Sequence, residues 1–135
     1  MASVDSLRSA TLFAGFDDET LGRMAGRFAE VDIPANQVLI EPRTAGSGLF
    51  VICDGTVEVE AHEVRRELGP GDVVGEISLV EDDHTRRARV VALTPVRALA
   101  LSRPDFDDLV AENPQLDAAV RDLAHRRLAE LHEAE

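Results

Sequence analysis

Glu76 directly follows Gly75, and ten residues later the chain reaches Arg86, with Arg87 and Arg89 close behind. From Arg86 onward Ala88, Val90 and Ala92 alternate with Arg87, Arg89 and Val91, which is the period of a β-strand. The small and apolar set must face a core, and Arg86 falls on that same face. A guanidinium keeps its proton in proteins, so an inward one requires an anion beside it. One candidate is internal: Glu76 itself, or the acidic run Glu81, Asp82 and Asp83. The other is a ligand. Residues 76–80 have the length of one helical turn, whose free amides would point at an anion held against Arg86. Backbone donors on one side and a guanidinium fork on the other suit a phosphate. A phosphate alone leaves Glu76 unexplained, since a carboxylate repels it. A ligand with both a phosphate and a sugar hydroxyl satisfies both residues, and that describes a nucleotide.

Other patterns point away from metals and catalysis. His62, His84, His125 and His132 show neither H-x-H nor H-E-x-x-H spacing, so no metal site is expected. No Ser-His-Asp or paired-carboxylate arrangement can be drawn, and the reading is of a binding protein without enzymatic activity or cofactor. Cys53 is the only cysteine, which excludes an internal disulfide; within the apolar run 49–53 it reads as a small buried hydrophobe. The chain has 26 acidic and 14 basic residues, a formal charge of -12, which argues against direct DNA binding. No stretch approaches the roughly 18 apolar residues of a membrane span, and no signal-type segment opens the chain, so a cytoplasmic location is expected.

These residues need elements to hold them. At 135 residues one domain is expected, spanning 1–135. Residues 1–30 read as helical: Asp17 can cap a helix whose Leu21, Met24, Ala25 and Phe28 fall at helical spacing. Residues 31–101 change to short apolar runs broken by turn signals at 34–36, 54–55 and 69–71. Val57 and Val59 alternate with Glu58 and Glu60, a strand with one wet face, and Arg65 and Arg66 are placed on a hairpin exterior. Short strands at this spacing indicate a compact barrel or jelly roll, mainly β with flanking helices. Residues 102–135 return to helix, opened by Ser102 with Asp105 in a capping box and divided at Asn113 and Pro114. In the last helix Leu116, Val120, Leu123, Ala124, Leu128 and Leu131 form one stripe, with Arg127 on the same side.

The stretch VGEISLVEDDHTRRARVVA, residues 74–92, resembles the phosphate-binding cassette of cyclic nucleotide-binding domains of the catabolite activator type. SATLFAGFDDETLGRMA is similar to that family's entry helix, VDIPANQVLIEP to its first strands, GLFVICDGTVEV to the hairpin before the cassette, and LSRPDFDDLVAENPQL to the helices after the barrel. The resemblance implies a double-stranded β-helix (jelly-roll) barrel with an N-terminal helix and C-terminal lid and dimer helices. It implies that Glu76 bonds the ribose 2′-hydroxyl and that Arg86 pairs with the cyclic phosphate. Gly75, Ile77 and Ser78 fall at cassette positions where small size or backbone amides admit the ligand. Arg87 departs from the pattern, standing where Ser, Thr or Ala is usual, so a hydroxyl that could reach guanine is missing and cAMP is expected over cGMP. Asn36 stands where glycine is frequent, a mild exchange because Asn visits the left-handed region readily.

In the family the last helix closes over the pocket and pairs two subunits, so a homodimer and signalling by helix closure are expected, with Arg127 meeting Glu76 in the liganded state. No helix-turn-helix follows in the 135 residues, so the expected readout passes through a protein effector or through a DNA-binding part of a longer regulator, or the chain acts as a nucleotide sink. The alternative is an interaction domain of the same fold whose Arg86 pairs internally and which binds no nucleotide.

Overall fold

A computed structural model describes residues 4–40, 48–61, 64–75 and 89–134. Among these residues eight strands form two antiparallel sheets. In the first, β1 (Ala29–Ile33), β8 (Val96–Ser102), β3 (Gly48–Asp54) and β6 (Val73–Val74) lie in that order. In the second the order is β2 (Val38–Ile40), β7 (Arg89–Ala92), β4 (Val57–Ala61) and β5 (Val64–Leu68). Among the described residues four α-helices flank them: α1 (Val4–Arg8), α2 (Asp18–Ala25), α3 (Arg103–Glu112) and α4 (Pro114–Ala134). This is the jelly-roll architecture expected from the spacing of the turn signals.

In the first sheet β3, β6 and β8 are covered on both faces, and the alternation of their side chains makes two cores. Leu49, Val51, Val73, Leu99 and Leu101 point outward and pack under Leu7, Phe13, Leu21, Met24, Phe28, Phe106, Leu109, Leu116 and Val120 of the helical layer. Ile52, Val74, Val96 and Ala98 point the other way and meet Val57, Val90 and Ala92 of the second sheet. Each fully buried Leu or Val stabilises the fold by about 1.5–3 kcal/mol relative to exposure. The second sheet has one wet face. In β7 the exposed Arg89 alternates with buried Val90 and Ala92, as the sequence pattern requires. Arg86, Arg87 and Ala88, the start of that pattern, lie outside the described residues.

Local chemistry sets the ends of the elements. Asp17 caps α2, its Oδ1 accepting from the Thr20 amide at 2.8 Å, and its bonds to Thr20 hold the carboxyl below the usual carboxylate range. Phe28 falls past the end of α2, in a turn closed by its amide on the Ala25 carbonyl, and still reaches the core. Ser102 caps α3 through the Asp105 amide, but the return bond runs from its hydroxyl to the Asp105 carboxylate. Arg27 bridges from the end of α2 to Asp105 and Asp108, both at 3.0 Å. Asn113 directs its side-chain amide back to the Leu109 carbonyl, finishing α3 at the point where Pro114 starts α4. Asn36 takes φ of 72° in the turn before β2 and its amide bonds the Ala92 carbonyl, so the left-handed expectation holds.

Gly55 locks the end of the roll away from β5's start. Its φ is 86°, and a Cβ there would stand 2.3 Å from the Pro95 carbonyl oxygen and 2.9 Å from Thr94 Oγ1. The conformation alone costs a non-glycine residue roughly 1–3 kcal/mol. Gly55→Ala should therefore lower unfolding stability by at least that amount in urea titration. A change within about 0.5 kcal/mol would mean that the two turns can part freely.

Candidate functional site

β6 and β7 bracket the cassette sequence. β6 is an edge of the first sheet, while β7 lies inside the second, between β2 and β4, so residues 76–88 connect one sheet to the other. Glu76, Ile77, Ser78, Arg86 and Arg87 fall in that connection, outside the described residues. Gly75 is described, and its φ of 93° lies where side chains with a Cβ are strained, so the chain leaves β6 by a turn that favours glycine.

The approach to Gly75 is firmly anchored. In the turn 69–72 the Gly69 amide donates to Asp72 Oδ2 at 2.9 Å and the Asp72 amide to the Gly69 carbonyl at 3.1 Å. Gly71 exchanges bonds with its surroundings: its amide donates to Ile52 and its carbonyl accepts from Thr11, at 2.9 and 3.2 Å. Its φ is 93°, and a Cβ would meet the Ser9 carbonyl at 3.0 Å. The turn is thereby tied to β3 and to the N-terminal helical layer, which fixes where β6 begins.

From the other side comes α4. Leu116, Val120 and Ala124 are buried and Leu123 packs half-buried against the helical core, so this part of the stripe covers the first sheet. The side chains of Leu128 and Leu131 lie outside the described residues. Arg127 is half-buried, and its Nη1 donates to the carbonyl of Val73. A lone arginine on an apolar stripe would ordinarily reach past it to water. Here it turns inward, onto a backbone oxygen two residues before Gly75. Its expected partner Glu76 is not among the described residues.

The register of the second sheet separates two arginines that the sequence places together. Arg65 stands opposite Glu60, with its Nε 3.3 Å from Glu60 Oε2 on the wet face. Arg66 stands opposite Val59, which packs into the core between the sheets, as does Leu68 two residues along β5. Arg66 is therefore solvent-exposed but on the inner face of the roll, a correction to its placement on the hairpin exterior. In a strand of sequence VRREL no apolar alternation marks the faces; only pairing with β4 does.

Elsewhere the described surface offers less. A shallow cleft of about 670 Å³ lined by Asp32, Asp54, Gly55, Pro95 and Arg97 lies where the β3–β4 and β7–β8 turns meet, away from Gly75 and Arg89. Arg97 already faces Asp32 there at 3.5 Å. Cys53 is half-buried, and burial, with help from Glu30, pushes its thiol pKa up, which disfavours the reactive thiolate. Among the described residues no group of His, Cys, Asp and Glu is arranged to hold a metal ion, and no helix is long and apolar enough to cross a membrane.

Known proteins resemble this chain in sequence and in fold. A transcriptional regulator of Mycobacterium tuberculosis described as CRP-like and cAMP-activated is 26% identical over 128 residues, 90% of this chain and 57% of that protein. The cGMP-dependent protein kinase isozyme 1 of Drosophila melanogaster is 33% identical over 120 residues, 82% of this chain and 15% of the kinase. The crystal structure of the Thermus thermophilus catabolite activator protein superposes with a TM-score of 0.79 at 29% identity, covering 91% of this chain and 60% of that one. The chain thus spans less than two thirds of each of these relatives. The family model for the cyclic nucleotide-binding domain matches residues 30–113, from β1 to the end of α3 and so more than half of the sequence, and the chain belongs to that family.

Proposed function

We propose that this chain is a cyclic nucleotide sensor that binds a purine 3′,5′-cyclic monophosphate, cAMP included, and reports it through α4. In this reading Arg86 and the amides following Gly75, with Ile77 and Ser78, take the phosphate, and Glu76 takes the ribose 2′-hydroxyl. Arg87 contributes its backbone. The observation that carries the proposal is Arg127, whose guanidinium holds the Val73 carbonyl at the entrance to the cassette. A helix attached there is positioned to feel any rearrangement of Gly75 and Glu76. The names of the relatives support the ligand class, one being cAMP-activated and another cGMP-dependent. The output we propose is a change in the α4 surface, read by a second copy in a homodimer or by a protein effector in the cytoplasm, with binding and not catalysis as the chain's task.

Calorimetric titration with cAMP, followed in parallel by amide shifts, tests the assignment. Saturable binding with shifts in α4 is expected. No heat and no shift at millimolar nucleotide would overturn it and leave an interaction domain. The coupling is tested by a double-mutant cycle of Glu76→Gln and Arg127→Met on cAMP affinity. An interaction energy of about 0.5–3 kcal/mol is expected if the two residues act as one latch. Strict additivity would mean that Arg127 acts independently of Glu76.

A further inference from the structure

Three turns meet at one end of the roll. The cassette leads into β7 at Arg89 and the chain leaves it through Leu93 to Pro95, so these turns stand at the opposite end of that strand. They are laced together. The Asn36 amide donates to the Ala92 carbonyl and the Ala92 amide to the Gln37 carbonyl, at 2.6 and 2.9 Å. The Leu93 amide donates to the Thr56 carbonyl at 2.9 Å, and the Thr56 amide to Thr94 Oγ1 at 3.0 Å. Gly55 packs against Pro95 too closely to admit a Cβ. Turns 34–37, 55–56 and 93–95 therefore form one rigid unit. The cleft of about 670 Å³ opens on this unit, with buried Ile33 and Val96 as its apolar floor and exposed Pro34 and Pro95 beside them. Leu93, the one large apolar side chain exposed among the described residues, belongs to the same turn as Pro95. A single exposed leucine is ordinary; beside an apolar cleft it enlarges the surface that a partner can cover.

Charge selects the partner. Arg97 of β8 stands in register between Asp32 of β1 and Asp54 of β3, one cross-strand row with a cation flanked by two carboxylates. Its Nε faces Asp32 at 3.5 Å, and among the described residues no ion pair is made to Asp54. Glu30 lies on the same face of β1, two residues before Asp32. The cleft thus holds a surplus of negative charge in a chain whose formal charge is -12. Nucleic acid, an anionic lipid surface and an acidic peptide are all repelled there. A lysine or arginine next to an aliphatic residue is complementary: the cation meets Asp54, and the aliphatic side chain covers Ile33 and Val96. A rigid concave surface leaves little to be ordered on binding, which favours such a contact despite its small area. We propose that this cleft docks a basic–aliphatic segment of a partner protein. The proposal stands apart from the nucleotide reading, and it assigns the partner a surface separate from α4.

The test is fluorescence anisotropy on the full chain with labelled hexapeptides: one alternating leucine with arginine, one alternating leucine with glutamate, and hexa-arginine. The leucine–arginine peptide should bind saturably with a Kd of about 1 mM or tighter. It should bind at least about 5-fold more tightly than either of the others. Amide shifts should centre on residues 32–34, 54–55 and 93–97. Asp54→Lys replaces an attraction by a repulsion and should weaken the peptide about 5-fold or more, with Asp54→Asn losing less. Leu93→Ser should weaken it at least about 2-fold and leave hexa-arginine unchanged. Both positions are exposed, and an unchanged urea midpoint confirms that each variant is folded. Hexa-arginine binding as tightly as the leucine–arginine peptide would reduce the cleft to a general attraction for cations and overturn the proposal. So would absence of saturation at millimolar peptide, shifts centred on α4, or an affinity unmoved by Asp54→Lys. Self-association of the chain that excludes the peptide would mean that a second copy fills the cleft, which overturns the assignment to a partner protein.

Discussion

Arg86→Ala should abolish nucleotide binding while leaving the fold intact. The argument begins with charge. The chain carries a formal charge of -12, so its long-range field repels an anionic ligand, and only a local cation can offset that. We propose Arg86 for the inner face on the sequence alternation that continues into buried Val90 and Ala92, and no other arginine or lysine lies between Arg66 and Arg86. Removing one partner of a desolvated charge pair costs about 2–5 kcal/mol, roughly 30- to several-thousand-fold in affinity. The same substitution reads differently if Arg86 is a structural ion pair. It would then strand a buried carboxylate and cost about 3–5 kcal/mol of folding stability. Urea unfolding and calorimetry on one variant separate the two: binding lost with stability kept supports the ligand role. Stability lost, beside a wild type indifferent to nucleotide, would mean an internal ion pair and an empty cassette.

How far this site could be read from the sequence depended on what kind of signal each residue carries. The fold was legible because apolar residues recur with a period: Val57 and Val59, Val90 and Ala92, and Leu116, Val120 and Ala124 each face the core as their spacing requires. Caps were legible for the same local reason, as Asp17 and Ser102 show. Arg66 was not. VRREL has a polar majority on an edge strand, so neither face announces itself, and only the opposing Val59 shows which side Arg66 takes. Arg127 was half legible. A charge on the α4 stripe demanded a partner, but the acceptor described is the backbone oxygen of Val73, and a carbonyl has no signature in a sequence. Asn113 illustrates a third limit: its amide could serve either neighbouring helix, and it bonds the end of α3.

Phe13→Ala should be among the most destabilising single changes in the helical layer, and the reason bears on how α4 is held. Phe13 closes the single 3₁₀ turn between α1 and α2 and is fully buried. Its ring stands edge-on to Phe28 at 5.9 Å between centroids and tilted to Phe16 at 6.0 Å. Such aromatic pairs add about 0.5–1.5 kcal/mol beyond area burial. The same core includes Leu116 and Val120, so α4 meets this turn before it reaches Val73 with Arg127. Truncating a buried Phe to Ala costs about 3–5 kcal/mol, which is a large share of the roughly 5–15 kcal/mol that keeps a domain folded. The urea midpoint should fall with the slope unchanged, and Phe13→Leu should recover much of the loss because most of the volume returns. The position of α4 is then a matter of packing against the turn, with Arg127 adding polar attachment further along the helix. A loss below about 1 kcal/mol for Phe13→Ala would reverse that order, making Arg127 and the cassette the main support of the helix.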